Sequence, residues 1–167
     1  MNLLTEKYRP FIIQLALIRA LPSWKTVPAP TWLEALVLTE SSGNPFAKRY
    51  EAHQDRQGSV GDADRPNFDD GFLEDDTSWG LMQVMGYNLR FLTGTPGGTF
   101  MDFHWALDPE VNLLLGTRLL KMELGAVAGD VSRALARYNG GPTGDDGTPM
   151  RVQPYVDRVA KNCLLIQ

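Results

Sequence analysis

Apolar residues return every three or four positions along most of this chain, the repeat of a single helix face. Pro10 to Leu21 predicts a first helix with proline in its first turn. Leu21-Pro22 and Pro28-Ala29-Pro30 make a stiff connector. Thr31-Trp32-Leu33-Glu34 reads as a capping box, with the Thr31 hydroxyl accepting from the third N–H and Glu34 reaching back to the Thr31 N–H. The helix opened there runs to about Ser41, and Ser42-Gly43-Asn44-Pro45 stops it. Helical spacing resumes at about Trp79 and continues to Leu92, with Trp79, Met82, Gln83 and Gly86 on one face, before Thr93-Gly94-Thr95-Pro96-Gly97-Gly98 breaks it. Asp108-Pro109-Glu110 is a strong helix start, with Asp as cap and Pro at the first position. Val111, Leu114, Leu115, Leu119 and Met122 predict its buried face, and Gly125 its end. Asp130 caps the next helix, where Val131, Ala134, Leu135 and Tyr138 repeat the spacing up to Asn139-Gly140-Gly141-Pro142. Val152, Tyr155, Val156, Val159 and Cys163 line the last.

Between these lies an irregular stretch, 46–78, crowded with Asp62, Asp64, Asp69, Asp70, Glu74, Asp75 and Asp76. A loop that long inside a compact domain has a function of its own or is disordered. There is no period-2 run and no internal repeat. The pattern predicts a mainly α fold with room for a small hairpin in 46–78. Residues 1–30 form an N-terminal helix and connector, and 31–167 the main domain, packed as one unit.

The 167 residues suffice for one domain with a real core, and 43% hydrophobic with 22% charged is ordinary globular composition. A net charge of −4 leaves no basic surplus to neutralise phosphates, so nucleic acid is not the expected partner. Cys163 is the single cysteine, so no intrachain disulfide can form, and its apolar setting makes it a buried small hydrophobe. His53 and His104 have no partner at metal-ligand spacing, and neither a metal nor an organic cofactor is expected. The apolar run Phe11–Ile18 is too short to span a bilayer. With Glu6, Tyr8, Arg9 and Pro10 before it, the run is also a poor signal peptide, so delivery beyond the cytoplasm would need another route.

The most informative residue is Glu40, which continues the stripe Leu33, Leu36, Val37 at i+7. A carboxylate on a buried stripe is desolvated, which raises its pKa and makes it a proton donor near neutral pH. That is the chemistry needed to break a glycosidic bond, whose oxygen leaves poorly until protonated.

Four segments stand in order, each at a helix end: Glu40-Ser41-Ser42-Gly43-Asn44-Pro45; Gly80-Leu81-Met82-Gln83-Val84-Met85; Leu107-Asp108-Pro109 with Asn112 and Gly116; and Ala136-Arg137-Tyr138-Asn139-Gly140-Gly141. Together, over about Trp32 to Val159, they resemble the soluble lytic transglycosylase domain, related to goose-type lysozymes. The resemblance implies a lysozyme-like helical fold that cleaves the MurNAc–GlcNAc β-1,4 bond of peptidoglycan. It places Glu40 as the catalytic acid and then base, giving 1,6-anhydro-MurNAc ends. It assigns Ser41, Gly80, Met82, Gln83, Tyr138, Asn139 and Tyr155 to the sugar cleft.

Four of these also have a plainer reading. Gln83 can be a buried structural amide, Met82 core filler, Tyr138 the core-facing end of its helix, and Asn139 a helix cap. The sequence departs from the family in its long acidic spacer and in Arg151-Val152-Gln153-Pro154-Tyr155-Val156, where family members often have Glu-Thr-x-x-Tyr-Val. Two alternatives stay open. One is a goose-type, inverting hydrolase that pairs Glu40 with Glu51, Asp75 or Asp76. The other is a non-catalytic peptidoglycan-binding or virion structural subunit. The expected partner is the glycan strand, met by a monomer without stable membrane insertion, and a phage origin fits a wall-cleaving chain with no signal peptide.

Overall fold

The computed structural model describes residues 6–51, 75–95, 102–141 and 149–166. Asp62, Asp64, Asp69, Asp70, Glu74 and the breaks around Pro96 and Pro142 lie outside the described residues. The fold is mainly α and lysozyme-like. In chain order the elements are α1 (Arg9–Ile18), α2 (Ala29–Ser41), β1 (Lys48–Tyr50), β2 (Thr77–Trp79), β3 (Val84–Met85), α3 (Gly86–Thr93), a 3-10 turn (His104–Leu107), α4 (Pro109–Ala126), α5 (Val131–Gly140) and α6 (Pro149–Ile166).

Helix α2 is the centre. Trp32, Leu33, Ala35, Leu36 and Val37 are all fully buried, so the helix is apolar around most of its circumference and must be enclosed. It packs most extensively along α6 and also against α1, while α5 joins α4 to α6. The Asp108 and Asp130 caps are present: Asp108 Oδ1 accepts from the N–H groups of Glu110 and Val111 at 3.0 Å, and Asp130 Oδ1 from Arg133 at 3.1 Å. The last helix buries Val152, Tyr155, Val156, Val159 and Cys163 as its spacing predicts.

The expected capping box is absent. Helix α2 starts at Ala29 behind Pro28, with no side-chain cap. Glu34 is instead 3% exposed, and Arg9 of α1 donates to both its oxygens, Nε at 2.9 Å and Nη2 at 2.8 Å. A long-range bidentate ion pair has replaced the local cap, because the prolines begin the helix three residues earlier and turn Glu34 inward. The buried face of α4 is also rotated from the expected one. Leu114 and Met122 are exposed, whereas Asn112, Leu113, Gly116 and Leu120 are buried. The reason is that α4 packs against the turn after β2 as well as against α5.

The span 79–92 is not one helix. Trp79 ends β2, Gly80 to Gln83 form a turn, and only from Gly86 does α3 begin. Gly80 and Gln83 have positive φ, +70° and +47°, which no α-helix accommodates. Thr77–Trp79 pairs antiparallel with both neighbours in the order β1-β2-β3. The small sheet therefore frames the acidic stretch, with β1 entering it and β2 leaving it. Trp79 stacks on buried Phe103 with ring centroids 5.6 Å apart, which fixes the sheet to the core.

Replacing Arg9 by Leu should destabilise the fold by about 3 kcal/mol, because Glu34 would stay buried without its partner. Chemical denaturation of Arg9→Leu and of the double variant with Glu34→Leu tests this. The double variant should recover most of the loss.

Candidate active site

Glu40 sits in the last turn of α2, just before Ser42 closes the helix in the left-handed region at φ 55°. Leu33, Leu36 and Val37 lie on the same stripe and exclude water from one side. Tyr155 reaches in from α6, and its hydroxyl donates to Glu40 Oε1. Burial dominates and raises the Glu40 pKa from 4.5 to about 7. The Tyr155 hydrogen bond, Arg49 and Arg158 pull it down, and Glu51 pushes it up. Tyr155 and Tyr138 are both held well above the usual phenol range, by burial first and by the Glu40 charge second. At neutral pH the site thus has a carboxyl that gives up its proton reluctantly beside two neutral phenols.

The turn Gly80–Gln83 forms the neighbouring wall, and its backbone is held from four directions. The Ser41 hydroxyl bonds the Leu81 carbonyl at 2.8 Å, which ties the end of α2 to the turn. The Tyr138 hydroxyl donates to the Met82 carbonyl at 2.8 Å, bringing in α5. The Ala47 carbonyl accepts the Gly80 N–H at 2.8 Å and Gln83 Nε2 at 3.1 Å, bringing in the start of β1. Asn112 of α4 does the most. Its Nδ2 donates to the carbonyls of Trp79 (2.8 Å) and Ala106 (2.9 Å), and its Oδ1 accepts the Met82 N–H at 2.8 Å. A Cβ on Gly80 would lie 2.4 Å from Asn112 Nδ2, so glycine is required there by space as well as by φ. Gly116 is required by Met82, whose Sδ would come within 2.5 Å of a Cβ.

The predicted site residues therefore divide. Glu40, Tyr138 and Tyr155 converge from three helices. Ser41, Gly80, Met82 and Gln83 build the wall: the Met82 side chain is fully buried on Gly116, and Gln83 Nε2 also bonds the Gly80 carbonyl at 2.9 Å. Asn139 lies exposed in the last turn of α5.

The three described carboxylates of the acidic stretch, Glu51, Asp75 and Asp76, are not equivalent. Asp75 is buried and gives both oxygens to Arg90 Nε of α3 at 2.7 Å. Asp76 is buried, and its carbonyl accepts the Glu51 N–H at 2.9 Å. Glu51 is the one whose charge acts on Glu40. Asn112 was legible as part of its segment but not in its role. The available signal was an amide set among leucines on α4, which can stay buried only if fully bonded. Arg158, which acts on Glu40 from α6, carried no sequence signal. Among the described residues, no group of three or more His, Cys, Asp and Glu is placed to hold a metal ion, and no helix is long and apolar enough to cross a membrane.

Two outcomes are expected from this geometry. Asn112→Ala should cost at least about 3 kcal/mol in denaturation, since it orphans three buried backbone groups. Glu40→Gln should behave oppositely. Because the folded protein holds the Glu40 proton between pH 4.5 and about 7 and the unfolded chain does not, stability falls as pH rises through that window. The amide escapes this, so at pH 8 it should be the more stable protein by up to about 3 kcal/mol, and the gap should close towards pH 4.5. Thermal melts of both proteins across pH 4.5–8 measure it.

A family model for the transglycosylase SLT domain matches residues 22–148. The match starts ten residues before the segment that carries the sequence resemblance and ends before Tyr155, the group that touches Glu40. Searches of the curated proteins and of the solved structures found no match. The match covers most of the chain, and the chain belongs to the transglycosylase SLT domain family, the lytic transglycosylases that act on cell-wall peptidoglycan.

Proposed function

We propose that this enzyme cleaves the MurNAc–GlcNAc β-1,4 bond with Glu40 as its single reacting carboxyl. The observation that carries the reading is the setting of Glu40: half-buried at the end of an apolar stripe, held by the Tyr155 hydroxyl, with its pKa raised to about 7. A general acid is most effective when its pKa lies near the working pH. The neutral carboxyl donates its proton to the glycosidic oxygen as the bond from C1 to that oxygen breaks. The resulting carboxylate takes the proton from the C6 hydroxyl of the same MurNAc, and O6 closes on C1. The product is a 1,6-anhydro ring, the proton count on Glu40 is restored, and no water is consumed. The attacking hydroxyl belongs to the substrate, so its effective concentration is high without a water-positioning base.

Glu51 supports a second reading. Its charge acts on Glu40, so an inverting hydrolase would use Glu51 as base, rather than Asp75, which is committed to Arg90. The two readings differ in their products.

Mass spectrometry of purified peptidoglycan digested by wild type and Glu40→Gln decides between them. The expected result is anhydro-MurNAc ends from the wild type and turnover lower by about 100-fold or more from Glu40→Gln. Reducing MurNAc ends would make the enzyme a hydrolase. Binding without turnover by the wild type would make it a non-catalytic subunit. Activity should also fall as pH rises through about 7, where Glu40 loses the proton it must donate.

A further inference from the structure

The chain between Glu40 and the small sheet is held by a run of short-range hydrogen bonds. Ser42 closes α2 in the left-handed region, and its N–H bonds the Leu38 carbonyl at 3.0 Å. The Asn44 N–H reaches back to the Ser41 carbonyl at 3.0 Å, and the Ala47 N–H to the Asn44 carbonyl at 3.3 Å. The Asn44 side chain adds a further bond, its Oδ1 accepting the Phe46 N–H at 3.0 Å. Both ends of the segment are fastened to one turn. Ser41, next to Glu40, bonds the Leu81 carbonyl, and Ala47, next to Phe46, accepts the Gly80 N–H at 2.8 Å. Gly80 and Leu81 are consecutive, with Cα atoms about 3.8 Å apart. Glu40 and Phe46 therefore flank the same turn, each one residue from its anchor.

Pro45 is buried, but Phe46 is 71% exposed. An aromatic ring left in water forgoes the gain of burial. The two cations that follow it are turned to other partners: Lys48 rests on Trp79, 4.7 Å from its ring centroid, and the Arg49 guanidinium pairs with Glu51. A single exposed apolar side chain is ordinary on a protein surface. This one differs in standing on a fastened backbone beside the proton donor, the preorganisation that favours a binding contact.

We propose that Phe46 is a sugar-stacking residue, its ring taking the apolar face of a pyranose in the same glycan strand whose bond is broken at Glu40. The proposal rests on Glu40 being the acid. A glycan is the substrate class of this family. A pyranose of a β-1,4-linked strand keeps its polar substituents at the ring edge and presents C–H groups on its faces. Those slightly positive C–H groups meet the negative face of an aromatic ring, while the polar edge stays in water. A phenyl ring has no polar atom, so it demands no particular hydroxyl pattern and suits both sugars of an alternating polymer. Holding one sugar on Phe46 fixes the strand while its neighbour is protonated. Phe46 acts on binding, and no proton passes through it.

The test is steady-state cleavage of peptide-free GlcNAc–MurNAc strands by wild type, Phe46→Ala, Phe46→Leu and Phe46→Trp. Phe46→Ala should lose about 3- to 10-fold in kcat/KM, carried by KM. Its melting temperature should not change, because the exposed ring contributes little to the core. Phe46→Trp should stay within about two-fold of wild type, and Phe46→Leu, apolar but without a ring face, should stay close to Phe46→Ala. Phe46→Ala as good as wild type, or a loss in kcat with KM unmoved, would overturn the proposal. So would full rescue by leucine, which would make the side chain a plain apolar contact. If Phe46→Ala does not fold, the tryptophan and leucine variants carry the same contrast, and equal KM values in the two sink the idea. Binding is read separately by calorimetric titration of the same strands into Glu40→Gln and into Glu40→Gln combined with Phe46→Ala, the second expected to bind about 3- to 10-fold more weakly. If Glu40→Gln cleaves as well as wild type, the assignment of Glu40 has failed. If it is inactive and the two proteins bind equally, only the role of Phe46 has failed.

Discussion

A turn with two residues at positive φ has little reason to hold its shape alone, and Gly80–Gln83, beside the end of α2, is such a turn. What holds it is the buried amide of Asn112, which uses three hydrogen bonds to fasten Trp79, Ala106 and Met82 to α4. With that frame fixed, the carbonyls of Leu81 and Met82 face outward to Ser41 and Tyr138, and Gly80 reaches Ala47 at the start of the sheet. Three helices and a strand thus meet on four residues. Gly80 and Gly116 are glycines because Asn112 and Met82 occupy the space a side chain would need. The cost of leaving any of these backbone groups unbonded in the interior explains why the arrangement has one solution.

Glu40 works against the fold that holds it. Burial raises its pKa and so costs stability at neutral pH, and the Tyr155 hydroxyl and the charges of Arg49 and Arg158 return part of that cost. A carboxyl that the fold ionises reluctantly is also a better proton donor near neutral pH.

The sequence reading failed where local and long-range interactions competed for one residue. Thr31-Trp32-Leu33-Glu34 has every local feature of a cap, yet Glu34 went to Arg9, 25 residues away, because a bidentate ion pair outweighs one capping bond. Trp79, Met82 and Gly86 have helical spacing, yet β-pairing with 48–50 took Trp79 into a strand. On α4 the spacing gave an apolar stripe but not its orientation, because the side to be buried is set by what packs there.

Sequence alone determined the helical character, the Asp108 and Asp130 caps, the stripe that ends at Glu40 and the four segments that mark the family. These follow from spacing within a turn or two of helix, which the chain encodes directly. Only the tertiary structure decided that Tyr155 touches Glu40, that Asp75 is spent on Arg90, and that the Glu51 carboxylate lies 3.4 Å from the Ser78 hydroxyl. Those facts depend on where elements up to 115 residues apart come to rest. The physical reason is that a carboxylate's chemistry is set by its solvation and its neighbours' charges, and both are properties of the packed chain.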